Sequence, residues 1–267
     1  MKEIFRYREL VRNLVIRDLK VRYRNSLLGF LWAWGNPVMM TLVFTVVFSI
    51  LRQTTISRFP LFILIAWLVW SFTQGAILEG TGTIVHNSNL VKKVYFPRET
   101  LPISSVLANA ANFLFALPLI IALVFYYQVE IQPTVLFYFP IIFIAHVALI
   151  MGITLFLSAV NVLYRDTGVI TGVVMTAWFF LTPVFYPVKD LTGVWNGIDL
   201  GRVAYYVNPM ASIIESYRNV LYGTTDGGQP SQPDFEFLLR TVVTSFVILL
   251  IGYFVFARLS RRFGEEL

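Results

Sequence analysis

The chain has 267 residues, of which 57% are hydrophobic and 13% are charged, and its mean hydropathy is +0.70. Soluble domains carry roughly a quarter of charged residues, so this composition excludes a water-soluble domain. The net charge of +6 comes from lysines and arginines beside long apolar runs, which favours topology and anionic lipid over nucleic acid as its explanation. The sequence contains no cysteine, which excludes disulfide and thiol chemistry.

The first segment, residues 1–26, is strongly basic and has apolar residues at near-helical spacing. This pattern predicts an amphipathic helix that lies in the membrane interface. The charged part is too long for the start of a signal peptide, and no small-residue cleavage site follows. Its acidic residues Glu3, Glu9 and Asp18 argue against a mitochondrial transit peptide. We therefore expect the segment to remain on the mature protein.

Six apolar runs predict six transmembrane helices, because each is long enough to cross the hydrocarbon core of a bilayer. They cover residues 27–51, 59–80, 100–126, 134–160, 167–187 and 236–258. The predicted fold is a single all-α membrane domain. Lysines and arginines are concentrated in alternate connecting segments, which places both termini and the loop 84–99 in the cytoplasm. His146, near mid-depth, is interpreted as a helix–helix hydrogen-bonding residue rather than a proton site.

The loop 84–99 is a basic island between two long apolar runs. It contains three candidate helix N-caps: Asn87, Ser88 and Asn89. Four apolar residues at i, i+1, i+4 and i+5 predict one face of a short helix: Leu90, Val91, Val94 and Tyr95. Lys92 and Lys93 lie off this face, and Pro97 is expected to end the helix. Such a helix could transmit a push from a partner to both flanking spans. The alternative is an ordinary loop whose lysines fix topology.

A long outer segment, residues 188–235, precedes the last span. Its apolar part, residues 207–222, is too short to span and predicts a re-entrant or interfacial helix near the outer mouth. Asn208 is a candidate N-cap, Pro209 occupies the first turn, and Gly223 provides a stop. Glu215 and Arg218 stand at i and i+3, and the alternative is a solvated helix with a surface ion pair.

Two spans carry aromatic residues and threonines at intervals of three or four, which places each set on one helix face. The stripe of the first span is Phe30, Trp34, Pro37, Thr41, Phe44 and Phe48; that of the fifth is Thr171, Met175, Trp178, Thr182 and Phe185. An uncharged aromatic face could let a sugar polymer slide without tight binding. The alternative is that these are packing or lipid-facing aromatics.

Several catalytic patterns do not occur in the sequence. It has no GxxxxGK[ST] phosphate loop, no HExxH and no GxSxG. An intramembrane enzyme such as a glycosyltransferase would need clustered acidic or metal-binding residues. The outer segment has four acidic residues without a dense cluster: Asp190, Asp199, Glu215 and Asp226. We therefore expect neither a metal site nor catalysis.

Five motifs resemble the membrane subunit of ABC-2 type polysaccharide exporters, which move O-antigen, capsule or teichoic acid chains. They are RDLKVRYRNSLLGFLWAWGNP at 17–37, NSNLVKKVYFPRE at 87–99, NVLYRDTG at 161–168, LTPVFYP at 181–187 and NPM at 208–210. The resemblance runs through nearly the whole chain, and the motifs agree in order with the predicted spans.

The resemblance implies a bacterial inner-membrane homodimer that forms a pore above two copies of a separate ATPase. MgATP would bind that partner, and this chain would need no cofactor. The resemblance implies an ATPase-coupling set: Asn87, Ser88, Asn89, Leu90, Val91, Lys92, Lys93, Val94, Tyr95, Phe96, Pro97, Arg98 and Glu99. It also implies an outer gate: Asn208, Pro209, Glu215 and Arg218.

The implied cargo is a lipid-linked polysaccharide, carried on a polyprenyl diphosphate. Four cations would lie at the cytoplasmic mouth and attract the diphosphate: Arg17, Lys20, Arg22 and Arg24. An alternative role for them is topology anchoring. The alternatives for the whole chain are an ABC-2 exporter of a drug or lipid, an intramembrane glycan-modifying enzyme, and a non-catalytic scaffold or pore.

Overall fold

The computed structural model describes residues 7–23, 29–51, 54–94, 96–187, 194–195, 198–199 and 207–266. The helices are α1 Arg8–Tyr23, α2 Trp32–Val46, α3 Phe59–His86, α4 Ser88–Lys93, α5 Thr100–Tyr126, α6 Val135–Leu163, α7 Thr167–Leu181, α8 Pro209–Leu221, α9 Phe235–Leu259 and α10 Phe263–Glu266. A 3₁₀ turn, Gly29–Leu31, precedes α2, a π turn, Val47–Leu51, follows it, and a 3₁₀ turn, Ser260–Arg262, joins α9 to α10. Two short strands, Val194–Trp195 and Ile198–Asp199, pair antiparallel.

Five helical segments of the described chain are long and apolar enough to cross a membrane: Trp32–Ser49, Phe59–His86, Thr100–Tyr126, Val135–Leu163 and Phe235–Arg262. This confirms the predicted class, a helical membrane protein, to which the structure adds one short pair of strands in the outer segment. The run predicted as a span at 167–187 is helical only over Thr167–Leu181. Its 15 residues extend about 22 Å, less than the roughly 30 Å hydrocarbon core. Pro183 explains this end, because proline disfavours helix at the residue before it.

The helix α3 is the centre of the bundle. It is apolar over most of its surface, and its residues from Phe59 to Ile84 are mostly buried against α2, α5, α6, α7 and α8. A helix that is apolar all round is typical of a buried position. The structure continues α3 to His86, beyond the predicted end at residue 80. Glu79 therefore lies about two turns inside the helix rather than at its end.

A second, smaller cluster of buried residues ties the short helices to one end of the bundle. Its members come from α1, α3 to α6, α9, α10 and the residue Phe96: Leu14, Ile84, Val91, Phe96, Leu101, Leu155, Ala159, Val162, Phe256 and Phe263. The helix α1 also packs along α5. Side-chain packing therefore attaches α1 to the bundle, in addition to the position in the membrane interface that its amphipathic pattern predicts.

The most extensive helix–helix contact joins α6 and α9, which cross at a pair of glycines. A Cβ atom at Gly252 would overlap the backbone of Gly152, and a Cβ atom at Gly152 would lie 2.6 Å from the backbone of Ile248. Small residues permit such close backbone approach between membrane helices. The crossing therefore requires glycine on both helices.

We expect Gly252→Ala to lower the unfolding midpoint of the purified protein in detergent, because overpacking a tight contact costs roughly 1–3 kcal/mol. Gly172→Ala on α7 is the matched control, since a Cβ atom there meets nothing within 4 Å. The midpoint is read by fluorescence-detected size exclusion after heating. Equal midpoints for the two variants would contradict the proposed importance of the glycine crossing.

Candidate functional site

The helix α4 presents a buried side and an exposed side at one end of the bundle. Val91 is 9% exposed and packs in the smaller cluster, whereas Lys92 and Lys93 are exposed. The predicted apolar face is wrong for Val94, which is 50% exposed. The helix ends at Lys93, so Pro97 is too far along the chain to end it as predicted. The backbone of Val94 is extended, with φ −127° and ψ 132°. Phe96, which is among the described residues of this loop, is buried.

Asn87 connects α1 to the junction between α3 and α4. Its Nδ2 donates to the carbonyl of Thr83 at 2.7 Å, and its Oδ1 accepts from Arg17 Nη1 at 3.4 Å. Asn87 therefore occupies the predicted N-cap position of α4, but its side chain makes no capping hydrogen bond, because both of its polar atoms are used elsewhere. Ser88 and Asn89 are the first two residues of α4. Tyr95 lies outside the described residues.

Arg98 joins the loop after α4 to the end of α9. Its Nη1 donates to the carbonyl of Ser260, and its guanidinium lies 5.8 Å from the ring centroid of Phe263. Glu99 occupies the N-cap position of α5. A cavity of about 300 Å³ lies beside this loop and is lined by residues that include Tyr7, Val94 and Arg98. The region predicted for coupling is thus held to α3, α5 and α9 at once.

The candidate mouth cations of α1 have different surroundings. Arg17 pairs with Asp18 at 2.9 Å, and Lys20 is exposed. Arg22 reaches into the bundle, where its Nη2 lies 2.7 and 2.6 Å from the two carboxylate oxygens of Glu79. Arg24 lies outside the described residues. Arg22 is therefore neutralised by an ion pair that the sequence analysis did not foresee.

The two aromatic stripes meet each other inside the subunit. Phe185 lies 4.8 Å from Phe44 and 5.0 Å from Phe48 between ring centroids, and Trp178 lies 5.8 Å from Trp70. Five stripe residues are buried: Pro37, Thr41, Thr171, Met175 and Thr182. Trp34 is 40% exposed, and the side chain of Phe30 lies outside those described. Much of each stripe thus packs against α3 or against the other stripe.

The residues after α7 are held by two side chains of the α8 region. Asn208 accepts from Trp178 Nε1 at 2.9 Å and from the N–H of Met210 at 3.0 Å, and its Nδ2 donates to Thr182 Oγ1 at 3.0 Å. It therefore caps α8 as predicted, with Pro209 following at N1 and Gly223 in the left-handed region at φ +95°. One amide thereby fixes α7 to α8.

Arg218 contradicts the solvated-helix alternative, because it is 1% exposed. Its guanidinium donates to the carbonyls of Pro183 at 2.8 Å and Val184 at 2.7 Å, and it lies 3.4 Å from the ring centroid of Phe62. Glu215 is more distant, at 4.0 Å. These carbonyls lose helical partners where α7 ends, so Arg218 supplies the hydrogen bonds that a buried backbone requires.

The residue after α8 fixes this helix to the start of α3. The Tyr222 hydroxyl donates to the carbonyl of Ser57 at 2.6 Å. Burial raises the pKa of Tyr222 to about 12, so this phenol stays protonated and remains a donor throughout the physiological range.

A polar cavity of about 650 Å³ between α2, α3 and α5 was missed by the sequence analysis. Arg22 and Glu79 stand beside it with Asn109, whose Nδ2 donates to Glu79 Oε2 at 2.8 Å. The signal was present in the sequence, since Asn109 and Asn112 occupy one helix face in an otherwise apolar run. The prediction for the spans was based on their aromatic residues and did not include these amides.

The fold and these sites define a multi-pass helical membrane protein, and the comparisons give its family. The family model for "ABC-2 type transporter" matches residues 9–222. The chain is 32% identical to "O-antigen export system permease protein RfbA" of Myxococcus xanthus. The match covers all of this chain and 98% of that protein. It is 28% identical to a protein of the same name from Klebsiella pneumoniae, over 94% of this chain and 92% of the relative.

A more distant relative is "Capsule polysaccharide export inner-membrane protein CtrC" of Neisseria meningitidis, 23% identical over 93% of this chain and 90% of that protein. The chain belongs to the ABC-2 type transporter family. It is accordingly a transport subunit and not an enzyme, and ATP hydrolysis belongs to a separate partner subunit.

We expect Arg218→Met to lower the unfolding midpoint markedly, because two buried carbonyls would each lose a partner at a cost of roughly 1–3 kcal/mol. Arg12→Met is the control, since that side chain is 71% exposed on α1. Thermal unfolding of both purified variants in detergent compares them. An Arg218→Met midpoint equal to that of Arg12→Met would mean that the two carbonyls are solvated.

Proposed function

We propose that this chain is the pore-forming membrane subunit of an ATP-driven exporter of a lipid-linked polysaccharide of the O-antigen or capsule class, in the bacterial inner membrane. The observation that carries this proposal is the full-length similarity to proteins named for O-antigen export. The more distant relative is named for capsule export, which supports the same class of cargo. Both termini and α4 are cytoplasmic in this proposal, as the distribution of lysines and arginines favours.

The working unit of this proposal is a homodimer with six spans in each subunit. The fifth span consists of α7 together with residues 182–187, to which Asn208 and Arg218 donate hydrogen bonds. The helices α2 and α7 expose apolar side chains such as Val43 and Val173, at 50% and 68%. A second copy and lipid together would cover these faces.

Two copies of the ATPase dock on the exposed side of α4 in this arrangement. That side consists of three exposed residues: Lys92, Lys93 and Val94. The opposite side is packed through Val91 and joined to α9 through Arg98. Force on the loop would therefore reach α3, α5 and α9 together, because close-packed interiors transmit displacement. MgATP stays on the partner.

The cargo path of this proposal lies where two subunits face each other, with the aromatic stripes supporting its walls. Among the candidate mouth cations that the structure describes, Lys20 would attract the lipid diphosphate, since Arg17 is paired with Asp18 and Arg22 with Glu79. The helix α8 would act as the outer gate. Its capping by Asn208 and its anchoring by Arg218 hold it firmly against the end of α7.

Deleting the gene from its source bacterium should leave completed polysaccharide inside the cell and remove it from the surface. Anti-glycan staining of intact and of lysed cells distinguishes these two pools, and a plasmid copy of the gene should restore the surface signal. Unchanged surface glycan, with loss of resistance to a drug instead, would contradict the polysaccharide cargo and favour the other ABC-2 alternative.

We expect Val94→Asp to weaken recovery of the ATPase with this subunit by about thirty-fold, the scale of one interface hot spot of roughly 2 kcal/mol. The change should leave abundance in the membrane intact, because Val94 is half exposed. Ile131→Asp is the matched control, at 43% exposure between α5 and α6. Co-purification through a tag on the ATPase measures both. Full recovery with Val94→Asp would remove this side of α4 from the docking surface.

A further inference from the structure

The cavity between α2, α3 and α5 combines uncharged polar side chains with aromatic walls. Its polar lining includes four amides and one hydroxyl: Asn36, Ser71, Gln74, Asn109 and Asn112. Its aromatic walls include Trp32, Trp67 and Phe113. The volume of about 650 Å³ lies within the range of small-molecule sites. The lining residues come from α1, α2, α3 and α5 of this chain.

The charge of the cavity is balanced by an ion pair. Arg22 contacts both oxygens of Glu79, and Asn109 joins the pair by accepting from Arg22 at 3.1 Å and donating to Glu79 at 2.8 Å. Asn109 is itself 4% exposed. A dianionic group entering here would gain Arg22 and meet Glu79, so the site does not favour phosphate. It favours a neutral ligand that can both donate and accept hydrogen bonds.

The depth of these groups argues against an accidental polar pocket. Glu79 lies seven residues before the end of α3 at His86, which is about 10 Å along the helix. Asn109 lies nine residues after the start of α5 at Thr100, or about 13 Å. Polar side chains inside apolar membrane helices are costly and typically mark a functional pathway. A lipid acyl chain in the cavity could offer no hydrogen bond to its polar lining.

We propose that this cavity binds a neutral sugar residue of the transported glycan, at a subsite separate from the path between subunits. This inference rests on the proposed polysaccharide cargo. Amide side chains can donate to one hydroxyl and accept from another, and the faces of Trp32 and Trp67 suit the C–H faces of a sugar ring. The Arg22–Glu79 pair fixes the polar frame at the inner end of the cavity.

The test places a photo-crosslinking amino acid, p-benzoylphenylalanine, in the full chain, expressed with its ATPase in exporting cells. The reporter replaces Leu78, which lines the cavity and is 37% exposed. The matched control replaces Leu107 on α5, which lies outside the cavity lining and is 36% exposed. A third position, Val173 on α7, reports the face proposed for the path between subunits. Adducts are detected with anti-glycan antibody and confirmed by periodate sensitivity.

Glycan on the Leu78 reporter and none on the Leu107 reporter is the expected result. Glycan on the Val173 reporter alone would overturn the subsite and leave the proposed cargo intact. A phospholipid adduct alone at the Leu78 position, identified by mass, would overturn it as well. Absence of glycan at all three positions would also overturn the subsite, while the gene deletion tests the cargo separately.

A second variant checks that the amides make the site. Gln74→Leu, in the background of the Leu78 reporter, should lower the glycan adduct by roughly five-fold, the effect of one lost hydrogen bond. Gln74→Asn keeps the amide and should retain most of the adduct. Equal adduct yields for the two variants, at equal protein abundance, would show that the amide of Gln74 does not contact the glycan and would overturn the proposed lining.

Discussion

The burial of most of α3 by its neighbours is the constraint on which the bundle depends. A helix without a polar face can be stable only if other helices or lipid cover it completely. The chain meets this condition by placing α2, α5, α6, α7 and α8 around it. The ion pair of Glu79, the packing of Trp70 against Trp178 and the cation–π contact of Arg218 with Phe62 all lie along this one helix.

The end of α7 shows how the same solvent constraint acts on the backbone. Helix breaks are tolerated at membrane depth when side chains satisfy the freed carbonyls. Asn208 donates to the carbonyl of Leu181 at 3.3 Å, and Arg218 donates to those of Pro183 and Val184. A buried arginine that binds carbonyls is thereby part of the fold, and its charge is spread over backbone dipoles and the Phe62 ring.

Apolar runs and prolines predicted the membrane class and most helices, because both depend on local composition. Capping at Asn208, Pro209 and Gly223 was also correct, since caps are local interactions. The buried environment of Arg218 could not be predicted, because the carbonyls to which it donates lie 34 and 35 residues away. Nor could the ion pair of Arg22, whose partner Glu79 lies 57 residues along the chain.

The aromatic stripes illustrate a further limit of periodic patterns. Spacing of three or four places residues on one helix face, and it does not say what that face contacts. Phe44, Phe48 and Phe185 share their faces as predicted and meet one another within the subunit. In α4 the period itself fails at Val94, because six residues are too few for the pattern to fix where the helix ends.

The attachment of α1 at two points has a consequence for how the membrane acts on this protein. Arg17 holds Asn87 beside α4, and Arg22 holds Glu79 and Asn109 inside the bundle. The exposed cations on the remaining surface of α1 can recruit acidic headgroups from the adjoining leaflet. The proposed ATPase acts on α4, and α1 is joined to α4 through Asn87. The content of acidic phospholipid in the leaflet should therefore also affect how readily α1 and α4 move.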